Sequence, residues 1–252
     1  MKLILFDLDG TLAEATKEVN SDMKKRLLSL KENNFDLGIV SGGTFKKIQS
    51  QIMDENLFKF IFSENGMIGY ESNNKFFEKT LNDSFTKQEI DNLFDTINRN
   101  IGDIYEDVNM NILKKSDINI NHLPKIEERN AMLYLVPSGV GCNDTIRSCF
   151  MEINNNECIR NEIIDRLKEP LFDLGFNIKI GGNVGLAISP LGWDKSFILK
   201  NNILKLDNYE MVYFFGDKCH EDGNDYPIFS YEGIEGYHVN NPEHTLELLK
   251  NF

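Results

Sequence analysis

The chain has no apolar run approaching the roughly 18 residues that a membrane-spanning helix needs, so no membrane span is expected. Its first residues enter a strand-like segment with no basic and then apolar leader, so no secretory signal is expected either. Cysteine is sparse: the four residues, Cys142, Cys149, Cys158 and Cys219, include no C-x-x-C spacing. Free thiols in a reducing, cytoplasmic setting are therefore expected, and no zinc site. Positive charge is scarce as well, with 27 Lys and Arg against 40 Asp and Glu, a net charge of −13. Nonspecific nucleic-acid binding leans on Lys and Arg neutralising phosphates, so no nucleic-acid partner is expected. A small anionic ligand stays open, because a site needs local positive charge and not a basic protein.

What is present is an alternation. The short apolar runs LILFD (3–7), FDLGIVSGG (35–43), FKFIFSENG (58–66) and MVYFFGD (211–217) each end in small or polar residues. Between the first two, Val19, Met23, Leu27, Leu28 and Leu30 fall near helical spacing. Strands alternating with helices predict an α/β fold with a Rossmann-like, doubly wound parallel sheet, covered on both faces. The middle of the chain has another texture. Residues 83–130 are polar, with Phe85, Ile90, Leu93, Phe94 and Ile97 at helical spacing. AMLYLVP (131–137), FNIKIGG (176–182) and VGLAISP (184–190) read as strands, and residues 157–175 as a helix that Pro170 should bend or restart. The expected organisation is a core of residues 1–82 plus 184–252, with an inserted α+β module over 83–183. Hinges are expected near 82–84 and 182–188, where Gly181, Gly182 and Gly185 permit unusual backbone angles.

In open parallel sheets, ligands gather beyond the carboxyl ends of the strands. The polar clusters DLDGT (7–11), SGG (41–43), GWDK (192–195) and GDKCHEDGND (216–225) all fall at such ends. Their convergence would bring together Asp7, Asp9, Ser41, Lys195, Asp217 and Asp225. Several carboxylates in one place repel and raise one another's pKa unless a cation joins them. With oxygen ligands only, Mg²⁺ is the natural candidate. A carboxylate nucleophile, a cation and a ring of donors form the kit for phosphoryl transfer. Asp7 would be the nucleophile. Asp9, two residues on, would share its face in a strict strand and serve as general acid and base. An inert scaffold has no need of these acids together, since unneutralised they would cost stability.

These residues resemble the motifs of the haloacid dehalogenase superfamily: DLDGT the first, Ser41 the second, Lys195 the third and GDK…GND the fourth. Across nearly the whole chain, SENG (63–66), RNAML (129–133), GWDK, FFGDK…GNDYPIF (214–229) and GYHVNNPEHT (236–245) resemble the eukaryotic-type phosphomannomutases. The resemblance implies an enzyme that interconverts mannose 6-phosphate and mannose 1-phosphate through an aspartyl phosphate. It implies Mg²⁺ held by Asp7, Asp217 and the Asp9 backbone carbonyl, with Asp225 an indirect ligand. A hexose bisphosphate activator is implied too. Lys195, Ser41 and Gly42 would bind the transferring phosphoryl. The inserted module would be a cap that pairs into a homodimer, and Arg129, Arg147 and neighbouring Asn130 would hold the substrate's distal phosphate, carried toward Asp7 by closure.

The departures are specific. Where the family pattern has another phosphate-binding Arg, this chain has Val140. Where it has an Arg shortly after DGTL, this chain has Thr16. The family's sugar-contacting Ser and Asp align with Gly185 and Ala187. Each charge-assisted hydrogen bond is worth roughly 1.5–3 kcal/mol, so four lost partners would weaken the hold on substrate by several kcal/mol unless neighbours replace them. By position, Lys179, Asn183 and His122 are available as substitutes. A phosphatase acting on a small sugar phosphate is therefore the alternative, since mutase and phosphatase share the first half-reaction and differ in what attacks the phosphoenzyme.

Overall fold

The structure is a computed structural model that describes residues 1–52 and 54–252, without the side chain of residue 55. In chain order it begins with β1 (Lys2–Phe6), α1 (Ser21–Glu32), β2 (Phe35–Val40), α2 (Phe45–Ile52), β3 (Phe60–Ser63), β4 (Ile68–Glu71) and β5 (Asn74–Glu78). There follow α3 (Leu81–Ser84), α4 (Lys87–Ser116), β6 (Ile126–Glu128), β7 (Leu133–Leu135), α5 (Asp144–Glu157), α6 (Ile159–Asp173), β8 (Phe176–Gly181) and β9 (Gly185–Pro190). The chain closes with α7 (Phe197–Lys200), β10 (Met211–Gly216), α8 (Tyr226–Phe229), β11 (Ile234–His238) and α9 (Pro242–Leu249). It divides into two compact units, Met1–Lys79 with Gly192–Phe252, and Thr80–Leu191.

The first unit holds a seven-stranded sheet in the order β11-β10-β1-β2-β3-β4-β5. Strand β1 shows why it is doubly wound. Residues Leu3 to Phe6 are all sealed from solvent. Ile4 and Phe6 join one core cluster with Met23, Leu27 and Leu30 of α1, Ile48 of α2 and Leu249 of α9. Leu3 and Leu5 point the other way, into a cluster with Ile198 and Leu199 of α7 and Ile228 of α8. Period-two alternation thus feeds two helical layers, and a strand buried on both faces reads as a continuous apolar run. The five strands from β11 to β3 are parallel. The β4–β5 hairpin adds an antiparallel edge that the sequence pattern did not declare.

The second unit has a four-stranded antiparallel sheet in the order β6-β7-β9-β8. Leu133, Leu135, Leu186 and Ile188 are buried on one face; α6 packs against β8, and α4 and α5 pack against α6 and each other. On the other face Glu127, Tyr134, Ala187 and Lys179 form one row across the four strands, half exposed.

Three expectations are corrected. The helix break falls at Cys158, whose left-handed backbone (φ 54°) separates α5 from α6; α6 runs on through Pro170. Pro170 sits in the last turn: it forgoes the bond that a backbone N–H there would give to the Arg166 carbonyl, and only three helical residues follow it. The insert extends to Leu191, beyond residue 183, because β9 pairs along its length with β7 and β8. Residues 182–188 are consequently no hinge: Gly181, Gly182 and Gly185 lie at the tight β8–β9 hairpin, and the chain passes between units at 79–80 and 191–192.

Candidate active site

Asp7 follows directly on β1, and its backbone N–H still bonds to the Phe215 carbonyl at 2.9 Å, continuing the parallel register. That bond places the carboxylate at the carboxyl end of the sheet beside the end of β10. Lys195 pairs with Asp7, and reaches Asp225 at 2.6 Å. Lys195 and Asp225 are fully buried and Asp7 nearly so. The second Asp225 oxygen accepts the Lys218 backbone N–H at 2.9 Å, and the Lys218 ammonium lies 3.0 Å from Asp217.

Burial pushes the Asp7 carboxyl up to about 7, with Asp225 and Asp217 adding to the push and Lys195 opposing it. Burial alone would lower the Lys195 pKa, but Asp225 and Asp7 outweigh it and hold the lysine charged. Asp7, Asp217 and Asp225 each offer an oxygen within 4.8 Å of the others. Asp217 Oδ1 is buried without a hydrogen-bond partner among the described residues. Three converging hard oxygen donors, one of them orphaned, fit a hard divalent cation. Gly10 makes room for the arrangement: at φ +92°, a Cβ there would lie 2.6 Å from Asp217 Oδ2.

Asp9 lies beyond the end of β1. Strand β1 ends at Phe6, so the strict-strand argument for a face shared with Asp7 does not apply. The Asp9 carboxylate binds Lys47 and accepts from Gln51 Nε2 at 2.9 Å and the Thr16 N–H at 3.0 Å. Burial would raise its pKa, but Lys47, Gln51 and Thr16 together hold it below the usual carboxylate range. Lys47 and Gln51 escaped the sequence reading, although their i,i+4 spacing on the helix after SGG puts both on one face. Thr16 takes part through its backbone, with φ 67°.

Ser41 ends β2 by donating its N–H to the Phe62 carbonyl at 2.9 Å, and its hydroxyl accepts the Gly43 N–H at 3.1 Å. Gly42 lies between them; a Cβ there would stand 3.1 Å from Asn65 Oδ1. Thr11 is fully buried and its hydroxyl has no partner among the described residues. The first unit thus joins Asp7, Lys195 and Asp225 by hydrogen bonds and brings an Asp217 oxygen within 4.8 Å of the other two acids. Arg129, Asn130 and Arg147 belong to the second unit. There Arg129 donates to Glu127 at 2.9 Å and lies over the Tyr134 ring, 4.1 Å from its centre.

A doubly wound sheet with a buried acid cluster at its carboxyl end defines a haloacid dehalogenase-like fold. A solved haloacid dehalogenase-like hydrolase from Bacteroides thetaiotaomicron superposes with a TM-score of 0.51 at 16% identity, over 99% of this chain and 98% of its own. SMU.1108c from Streptococcus mutans UA159 superposes with a TM-score of 0.62 at 17% identity, over 99% and 97%. The sequence profile of the eukaryotic phosphomannomutase family matches residues 23–252. The chain is also 30% identical to phosphomannomutase 2 of Dictyostelium discoideum, over 99% of this chain and 96% of that one. It belongs to the eukaryotic phosphomannomutase family.

Proposed function

We propose that the protein is a magnesium-dependent phosphomannomutase that interconverts mannose 6-phosphate and mannose 1-phosphate. The observation that carries this reading is the buried lysine shared by two acids, Lys195 on Asp7 and Asp225, beside the orphaned oxygen of Asp217. Asp7, Asp217 and the Asp9 backbone carbonyl would hold Mg²⁺, with Asp225 behind them. The ion, when bound, neutralises charge on the transferring phosphoryl.

The chain's own groups then have separable tasks. An Asp7 oxygen attacks phosphorus as the bond from phosphorus to the sugar oxygen breaks. Lys195, the Ser41 hydroxyl and the Gly42 N–H stabilise the equatorial oxygens. Asp9 gives a proton to the leaving sugar oxygen and later takes one from the hydroxyl that attacks the phosphoenzyme. Lys47 and Gln51 hold the Asp9 carboxylate in place from α2. Arg129, with Arg147 and Asn130, holds the substrate's second phosphate; the planar guanidinium fork suits that task.

A second reading has its own support. Ala187 offers no polar group and Gly185 no side chain, where a sugar would need partners to stay while it turns over. Loss of the bisphosphate intermediate, with water attacking the phosphoenzyme, gives a sugar-phosphate phosphatase. A split assay on mannose 1-phosphate with Mg²⁺, with and without a hexose bisphosphate, separates the two. Activator-dependent mannose 6-phosphate with little free phosphate supports the mutase; free phosphate without isomerised sugar replaces it by the phosphatase.

A further inference from the structure

Tyr134 lies on β7 in the half-exposed row of the second unit's sheet, opposite Ala187 of β9 and Glu127 of β6. Its ring rests on the β8–β9 hairpin. A Cβ added at Gly185 would fall 2.4 Å from Tyr134 Cζ, 2.6 Å from its hydroxyl oxygen and 2.7 Å from Cε1. At Gly181 it would fall 2.9 Å from Cε2, and at Gly182, 3.1 Å from the hydroxyl. Distances under about 3 Å are inside van der Waals contact, so no side chain at 185 coexists with this ring position. The phenol is pinned at its far end, its hydroxyl donating to the Gly181 carbonyl at 2.6 Å. Arg160 ties the same turn from another side, donating to the Gly182 carbonyl at 3.1 Å.

The Arg129 guanidinium stacks on this ring, 4.1 Å from its centre, and Glu127 accepts from its Nη2 at 2.9 Å. An arginine held on an aromatic platform and by a carboxylate has lost most of its rotamer freedom before any ligand arrives. The glycine at 185 therefore has a second meaning. It is a missing sugar contact, and it is also the seat that a tyrosine at 134 requires.

We propose that Tyr134 is a positioning residue for Arg129: the ring, seated on Gly181, Gly182 and Gly185, sets the guanidinium for the substrate's distal phosphate. This rests on the proposed role of Arg129 as a phosphate anchor. Tyr134 touches the arginine and not the reacting atoms, so its effect belongs to substrate hold. Pre-organisation of this kind lowers the cost of ordering the anchor at binding.

The test is the affinity for mannose 1-phosphate, by calorimetry in the Asp7→Asn background where turnover is blocked, together with KM and kcat in the otherwise intact enzyme. Arg129→Ala, Tyr134→Ala, Tyr134→Phe and Gly185→Ala are compared. The expected result is a loss of affinity of about tenfold or more for Arg129→Ala and Tyr134→Ala, and for Tyr134→Ala a raised KM with kcat within about twofold. Tyr134→Phe keeps the ring and stays near wild type. Gly185→Ala, which unseats the ring and leaves Tyr134 in the chain, weakens affinity like Tyr134→Ala and keeps the comparison alive should the latter not fold. A loss for Arg129→Ala with unchanged affinity for both Tyr134→Ala and Gly185→Ala overturns the platform and leaves the anchor standing. Unchanged affinity for Arg129→Ala overturns the anchor, and the platform with it.

Discussion

Lys195 and Asp225 meet at 2.6 Å with both side chains sealed from solvent, and the same ammonium serves Asp7. A buried cation between two acids is costly to remove, because what remains is uncompensated charge. Lys195→Met should destabilise the metal-free protein by about 3–5 kcal/mol in urea unfolding, and abolish activity. Added Mg²⁺ should recover part of that stability. A variant as stable as wild type without metal would mean the acids are not ionised together.

Gly10 is the next point of leverage. Its φ of +92° and the 2.6 Å gap to Asp217 leave no space for a methyl group. Gly10→Ala should cost roughly 1–2 kcal/mol in backbone strain and displace Asp217. The Mg²⁺ concentration for half-maximal activity should rise at least about tenfold. An unchanged metal requirement, measured by magnesium titration of the rate, would remove Asp217 from the metal site.

The second unit carries a pH prediction. Arg166 of α6 donates to both oxygens of Asp103 on α4, at 2.8 and 2.7 Å. Those bonds hold the Asp103 carboxyl below the usual carboxylate range. A folded pKa below the unfolded value adds stability that is present above the unfolded pKa of about 3.9 and is lost as pH falls through the folded value. Asp103→Asn should therefore lower stability slightly near neutrality and flatten the acid limb. Urea unfolding of both proteins between about pH 3 and 7 checks it; parallel curves would contradict it.

Much of the first unit was legible in the chain itself. The acids of DLDGT stand out because β1 is buried on both faces, so a continuous apolar run must end abruptly at its polar end. The clusters that hold Ser41 and Asp217 were legible for the same reason, since they follow β2 and β10; GWDK was not, because the strand before Lys195 is β9 of the second unit's antiparallel sheet and not an end of the parallel sheet. The orientation of Asp9 was not, since it depends on the chain leaving the strand after Phe6 and on Lys47 and Gln51, which are ordinary helix residues until α2 is in place. The glycines at 181, 182 and 185 misled, because a hairpin turn and a hinge draw on the same backbone freedom. Only strand pairing distinguishes them, and only the packed structure shows that Tyr134 fills the space their missing side chains leave.

The central claim is that Asp7 accepts the phosphoryl group. The direct test is to incubate the enzyme with Mg²⁺ and a phosphorus-labelled hexose bisphosphate, quench in acid and map the label by mass spectrometry. Label confined to Asp7, released by hydroxylamine and absent from Asp7→Asn, is the predicted result. Label on another residue, or turnover retained by Asp7→Asn at the wild-type rate, would contradict it.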